Sequence, residues 1–228
     1  MEIDLQLRGV TLSVGEFANF STTPAPGGDG TGGGVWRAQL GSHWHRELRE
    51  RDAADPAVKF EVAIEGDWLC RGWKLHLSGR IDQTRESPGA LLVREIKTVM
   101  QSLPTYEVAL RADYPEYFIQ LATYVFLTRL AEGSSEGGAR CPQRAQGVLI
   151  PAEAGRPTSE SKPPLGNSPR VDGELVFVEA GTGFIQTVAL GCGVAAVVEQ
   201  QADRLVDFLE NRREARERRL TLEVSPAF

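Results

Sequence analysis

The chain has 228 residues, 41% of them hydrophobic and 25% charged, with a formal net charge of −6. That length suits one fairly large domain with a real core, and the acidic balance excludes a protein that coats nucleic acid by charge alone, though not one with a local basic groove. No stretch approaches the roughly 18 apolar residues of a membrane span, and the opening MEIDLQLRGV is acidic and alternating rather than leader-like, so a cytoplasmic protein without membrane partners is expected.

Residues 3–12 alternate loosely, as a short strand does. Ser13 then caps a short helix through Phe20, with Glu16 completing a capping box. The run 24–34 (PAPGGDGTGGG) reads as a flexible loop, and it lacks the Lys-Ser/Thr ending of a phosphate-binding loop. A helix is expected over 36–51, with Trp36, Leu40, Trp44 and Leu48 on one face. Strands follow at 58–65, 69–82 and 90–98, divided by Gly66-Asp67 and by Ser87-Pro88-Gly89, which gives two adjacent hairpins.

Pro115 opens a helix to about Leu130 that turns Phe118, Leu121, Tyr124 and Val125 inward. Residues 131–140 are a Gly/Ser-rich loop, 145–151 a short buried strand and 152–173 an exposed insertion. A hairpin at 174–180 and 184–190 precedes a long helix over 194–218, with Val194, Val197, Val198, Leu205, Phe208 and Leu209 facing the core. The order implies a single α/β domain with a central mixed sheet flanked by helices. Cys70, Cys141 and Cys192 stand far apart with no CxxC pair, which argues against a disulfide framework, a zinc ribbon or an iron–sulfur cluster.

The chemistry concentrates in Gly79-Arg-Ile-Asp82 and Glu95-Ile-Lys97. Glu95 and Lys97 lie two apart on one strand, so both leave the same face, and pairing through the 83–90 turn brings Asp82 toward them. Paired carboxylates suit Mg²⁺ or Mn²⁺, and the Lys97 ammonium suits an attacking water and the charge growing on a phosphate. Gln120 and Tyr124 share a helix face by their i,i+4 spacing. Gly41 in the early helix suggests a close approach to the sheet, one turn before His45; His43 and His76 are the competing histidines.

Gly41-xxx-His45, Gly79-xx-Asp82, Glu95-x-Lys97 and Gln120-xxx-Tyr124, in that order, resemble the motif set of the RecB-type branch of the PD-(D/E)XK nuclease superfamily. The resemblance implies a restriction-endonuclease-like core and a Mg²⁺- or Mn²⁺-dependent deoxyribonuclease, acting on single-stranded or end-bearing DNA in repair or recombination. It implies that His45, Asp82, Glu95 and the backbone carbonyl of Ile96 hold the metal, that Lys97 activates the water, and that Gln120 and Tyr124 support the site and the DNA phosphates. Ile81 departs from the proline of the superfamily name, and three scattered cysteines do not match the cluster some relatives carry. The segments LSVGEFANF and RREARERRLTLEVSPAF resemble the edges of nuclease domains fused ahead of DinG/XPD-type helicases, implying a piece of a longer protein and, as the alternative function, a non-cutting DNA-binding module of a helicase. Arg212, Arg213, Arg216, Arg218 and Arg219 read as a solvated helix end rather than a DNA contact, and Trp44, Trp68 and Trp73 as core rather than base-stacking groups.

Overall fold

A computed structural model describes residues 1–22, 34–133 and 169–223. Its strands β1 (Glu2–Asp4), β2 (Gly9–Ser13), β3 (Val58–Cys70), β4 (Trp73–Ser87), β5 (Ala90–Val99), β6 (Arg170–Glu179) and β7 (Ile185–Ala189) form one open, mixed sheet. Around it lie α1 (Val14–Ala18), α2 (Gly34–Asp52), α3 (Glu107–Asp113), α4 (Pro115–Gly133) and α5 (Val194–Glu223). The expected class, a mixed α/β domain with a central sheet between helices, is the one observed. The order along the sheet is β1-β2-β4-β5-β6-β7, with β3 also paired to β4. The β2–β4 and β5–β6 pairs are parallel and the others antiparallel.

Strand β6 shows why both faces need helices. Leu175 and Phe177 enter the large core, built with Leu121, Val125, Leu205 and Leu209 of α4 and α5. Val176 and Val178, one residue out of phase, enter a second cluster with Leu48 and Trp44 of α2 and Ile96 of β5. Alternation along a strand sends those two sets to opposite faces, so β6 is a continuous apolar run. α4 lies close on the sheet because the floor lacks side chains: a Cβ at Gly173 would stand 2.8 Å from Val125, and one at Gly66 3.0 Å from Leu127.

The capping box formed as read, with the Glu16 N–H donating to Ser13 Oγ and the Ser13 N–H to Glu16 Oε2. Several expectations need correction. Residues 3–12 are two strands and a turn, not one strand. The first long hairpin turns at Arg71-Gly72, not at Gly66-Asp67. Both turn residues have left-handed backbones (φ 48° and 81°), as a two-residue type I′ turn requires. Gly66 stays inside β3, where it admits Leu127. α3 was not foreseen, since its N-cap, Tyr106, makes no side-chain cap. The 152–173 insertion yields to β6 by Arg170, where Val171 is buried. α5 runs past residue 218, and Val197, 39% exposed, is not on its core face. The strand expected at 145–151 and most of the loops at 21–34, 131–140 and 152–173 lie outside the described residues, as does Cys141.

Candidate active site

Strand β4 changes partner along one edge. Residues 74–78 pair with β2 and residues 83–87 with β5, while β3 follows the opposite edge from Trp73 to Arg85 with a break at Asp82. Gly79 to Asp82 occupy the gap between β2 and β5. Backbone donors freed there must find other acceptors, and side chains of the site supply them. The Ile96 N–H donates to Asp82 Oδ2 at 2.8 Å. The Arg80 N–H faces the Tyr124 hydroxyl oxygen. Gly79 keeps the gap open, because a Cβ there would lie 2.8 Å from the Tyr124 ring and 3.2 Å from Val14.

Extending the β4–β5 register one step past Gln83↔Arg94 sets Asp82 opposite Glu95. Glu95 is 3% exposed. Its Oε1 accepts from Lys97 Nζ at 2.9 Å and from Gln120 Nε2 at 2.8 Å, and Lys97 also donates to Gln120 Oε1 at 2.9 Å. Gln120 reaches the Tyr124 hydroxyl at 3.4 Å, and the Lys97 ammonium sits 5.1 Å from the Tyr117 ring centroid. Oε2 of Glu95 is buried and accepts no hydrogen bond. The Asp82 backbone N–H stands near enough to favour the charged carboxylate.

Burial dominates the electrostatics. It pushes the Glu95 carboxyl up to about 7, against the pull of Lys97 and with a further push from Asp82. It also raises Asp82, against His45, the Ile96 N–H and Lys97, with Glu61 adding repulsion. Tyr124 rises through burial and the nearby Glu95. Two carboxylates are thus held in a low-dielectric pocket at a cost that a cation would relieve.

His45 of α2 places Nδ1 3.7 Å from Asp82 Oδ1. His43 instead packs edge-on to Trp44 with Arg46 beside it, and His76 pairs with Asp67 at 2.8 Å, so neither competitor reaches the site. All six side chains singled out from sequence, His45, Asp82, Glu95, Lys97, Gln120 and Tyr124, join one contiguous arrangement. Even so, among the described residues no three His, Cys, Asp or Glu side chains are gathered as a metal-binding group. Gly41 corrects an expectation: a Cβ there would meet nothing within 4 Å, so it serves no close helix–sheet contact. It lines a groove of about 360 Å³ beside His45, with Ser42, Arg46, Arg49 and Glu61.

Sequence reasoning missed three elements of the surroundings. Tyr117 lies one turn before Gln120, a spacing that was available as a signal. Glu61, near Asp82, carries no sequence signal. A buried polar strut ties the end of α2 to the sheet: Asp52 Oδ2 accepts from Gln83 Nε2 at 2.8 Å and Arg94 Nη1 at 3.1 Å, and Arg94 also pairs with Glu174. The strut fixes the helix that delivers His45. Trp68 and Trp73 serve the core, Trp73 donating to Glu210 and Trp68 packing on Phe126. Arg213 and Arg218 of the tail pair with glutamates of their own helix.

No protein-family model matches the sequence, and no curated protein matches it. Among solved structures, the crystal structure of SSO0001 is similar with a TM-score of 0.45 and 14% identity, over 96% of this chain and 79% of that one. Likeness that loose carries no argument about function. Among the described residues no helix is long and apolar enough to cross a membrane.

Proposed function

We propose that the chain is a metal-dependent DNA nuclease whose phosphodiester-cutting centre is Asp82, Glu95 and Lys97, with His45, Gln120 and Tyr124 in support. The observation that carries this reading is Glu95 Oε2, a buried carboxylate oxygen without a hydrogen-bond partner in a pocket shared with Asp82. A structural ion pair satisfies its oxygens; one left bare beside a second carboxylate suits a hard cation such as Mg²⁺ or Mn²⁺. Asp82 and Glu95, with the His45 ring and, as the RecB-type resemblance implies, the Ile96 carbonyl, would hold it. When bound, the cation lowers the pKa of water and offsets charge on the phosphate.

The chain's own groups do the rest. Lys97, fixed by Glu95, Gln120 and the Tyr117 face, holds its ammonium beside the Glu95 carboxylate. It orients the attacking water and stabilises negative charge as the phosphate is attacked. Gln120 grips both Glu95 and Lys97, so it sets their spacing. Tyr124, seated against Gly79, positions Gln120. The order α2-β3-β4-β5-α3-α4-β6, with β6 parallel to β5, is compatible with the same reading.

The test is cleavage of labelled single- and double-stranded DNA with Mg²⁺, Mn²⁺ or EDTA, comparing wild type with Asp82→Ala, Glu95→Ala and Lys97→Ala. Each substitution should lower the rate about 10²- to 10⁴-fold; cutting at the wild-type rate by all three variants refutes the site. The same assay decides the alternative, a non-cutting DNA-binding module of a helicase. Wild type that binds DNA but never cuts it, with either cation, would establish that one.

A further inference from the structure

Beside His45 the groove carries an arrangement that neither the core nor the cutting centre requires. Glu61 is a non-glycine residue in a left-handed backbone conformation (φ 53°), a strained state that persists when its surroundings impose it. It falls at the one position, between Phe60↔Gln83 and Val62↔Ile81, where β3 and β4 make no regular pair, directly across from Asp82. Its carboxylate is shared by two cations from different elements: Oε1 pairs with Arg49 of α2 at 2.9 Å and Oε2 with Arg80 of β4 at 3.7 Å. All three side chains are substantially exposed, Arg49 and Glu61 of them lining the groove wall. Gly41 leaves that wall without a side chain, and Arg46 adds a further cation.

Two guanidiniums around one oxyanion form the arrangement with which proteins grip a phosphate. We infer that Arg49 and Arg80 bind a backbone phosphate of the nucleic acid near the bond being cut, and that Glu61 occupies the phosphate's place until the strand arrives. This rests on the nuclease reading above. Arg80 lies two residues before Asp82 and Arg49 one turn after His45, so a phosphate held between them lies on a line running past the carboxylates. Glu61 keeps the arginines converged while repelling a strand that has not displaced it; its negative charge also faces Asp82. Arg49 and Arg80 act on binding and on the position of the strand, not on the reacting atoms.

The experiment measures binding of a fluorescein-labelled single-stranded oligonucleotide by the full chain in EDTA, with its salt dependence, and cleavage with Mn²⁺ alongside. Arg49→Ala and Arg80→Ala should each weaken binding about fivefold and reduce the salt slope by about 1. Glu61→Gln, which keeps the size and removes the charge, should tighten binding by a few fold. Within Glu61→Gln, the loss from Arg49→Ala should grow, because the arginine no longer has a competing partner. Arg216→Ala, on the tail helix, should change nothing. Wild type that cuts DNA while the arginine variants bind as it does overturns this subsite and leaves the nuclease standing. Weaker binding by Glu61→Gln overturns the stand-in role. Wild type that neither binds nor cuts overturns both readings.

Discussion

Glu95→Gln should stabilise the protein without metal at high pH while abolishing cleavage. The Glu95 carboxyl has an ordinary value of 4.5 and is raised to about 7 by burial. A gap of about 2.5, at 1.36 kcal/mol for each pH unit, is about 3 kcal/mol. The folded chain therefore holds this proton more tightly than the unfolded chain does. Below about 4.5 both states are protonated and Glu95 carries no penalty; from there to about 7 stability falls as pH rises, and above 7 the full penalty remains. Glutamine is neutral at every pH, and its carbonyl can still accept from Lys97 and Gln120. At pH 8 the variant should exceed wild type by about 2–3 kcal/mol, which for a chain of this size is about 5–10 °C in melting temperature. The excess should vanish near pH 4.5. Melting curves at pH 5, 6, 7 and 8, in EDTA and in Mn²⁺, decide the matter. Mn²⁺ should raise the wild-type melting temperature more at pH 8 than at pH 6, since the cation needs the deprotonated carboxylate, and should leave Glu95→Gln unmoved. Parallel pH profiles for the two proteins in EDTA would refute the argument from burial.

Two glycines should respond in opposite directions. Gly79→Ala drives a methyl to within 2.8 Å of the Tyr124 ring and should cost about 1–3 kcal/mol in chemical denaturation, with a loss of cleavage as Tyr124 shifts. Gly41→Ala meets open space in mid-helix and should gain about 0.5–1 kcal/mol in the same assay. His45→Ala should weaken Mn²⁺ binding in calorimetry with little change in melting temperature without metal, since its ring approaches Asp82 only to 3.7 Å.

The fold class was legible, and so was the grouping of the candidate side chains, for a physical reason. Residues spaced at i,i+2 on a strand and i,i+4 on a helix share a face whatever the tertiary context, so Glu95 with Lys97, and Gln120 with Tyr124, were readable as pairs. The hairpin turn was not, because Gly66-Asp67 is the stronger turn signal and only the Leu127 side chain, more than fifty residues on, explains why Gly66 lies in a strand. Arg71-Gly72 turns with an arginine in a left-handed conformation that composition does not announce. Gly41 makes no sheet contact, and a helix glycine does not reveal in sequence whether it faces a sheet or a groove. Glu61 and the Asp52–Gln83–Arg94–Glu174 strut were invisible because they join residues far apart in sequence through geometry alone.

One topological feature links these elements. A central strand that keeps a single neighbour on each edge has no spare backbone donors, and its side chains need only pack. β4 instead trades β2 for β5 partway along one edge. Covering that interruption with apolar side chains would leave donors unsatisfied at a cost of about 1–3 kcal/mol each. A carboxylate is an acceptor that satisfies one of them, so the break selects a residue such as Asp82 on folding grounds alone. Once carboxylates are required in a buried gap, their mutual repulsion favours a lysine and a glutamine close by, and a cation site follows from the same geometry. This is why Asp82→Asn, which keeps an acceptor for the Ile96 N–H, should fold with nearly wild-type stability while losing cleavage. Asp82→Leu, which supplies none, should lose both. Equal stability of the two variants in denaturant titrations would mean that the strand break does not depend on the carboxylate and that the link drawn here between fold and site is wrong.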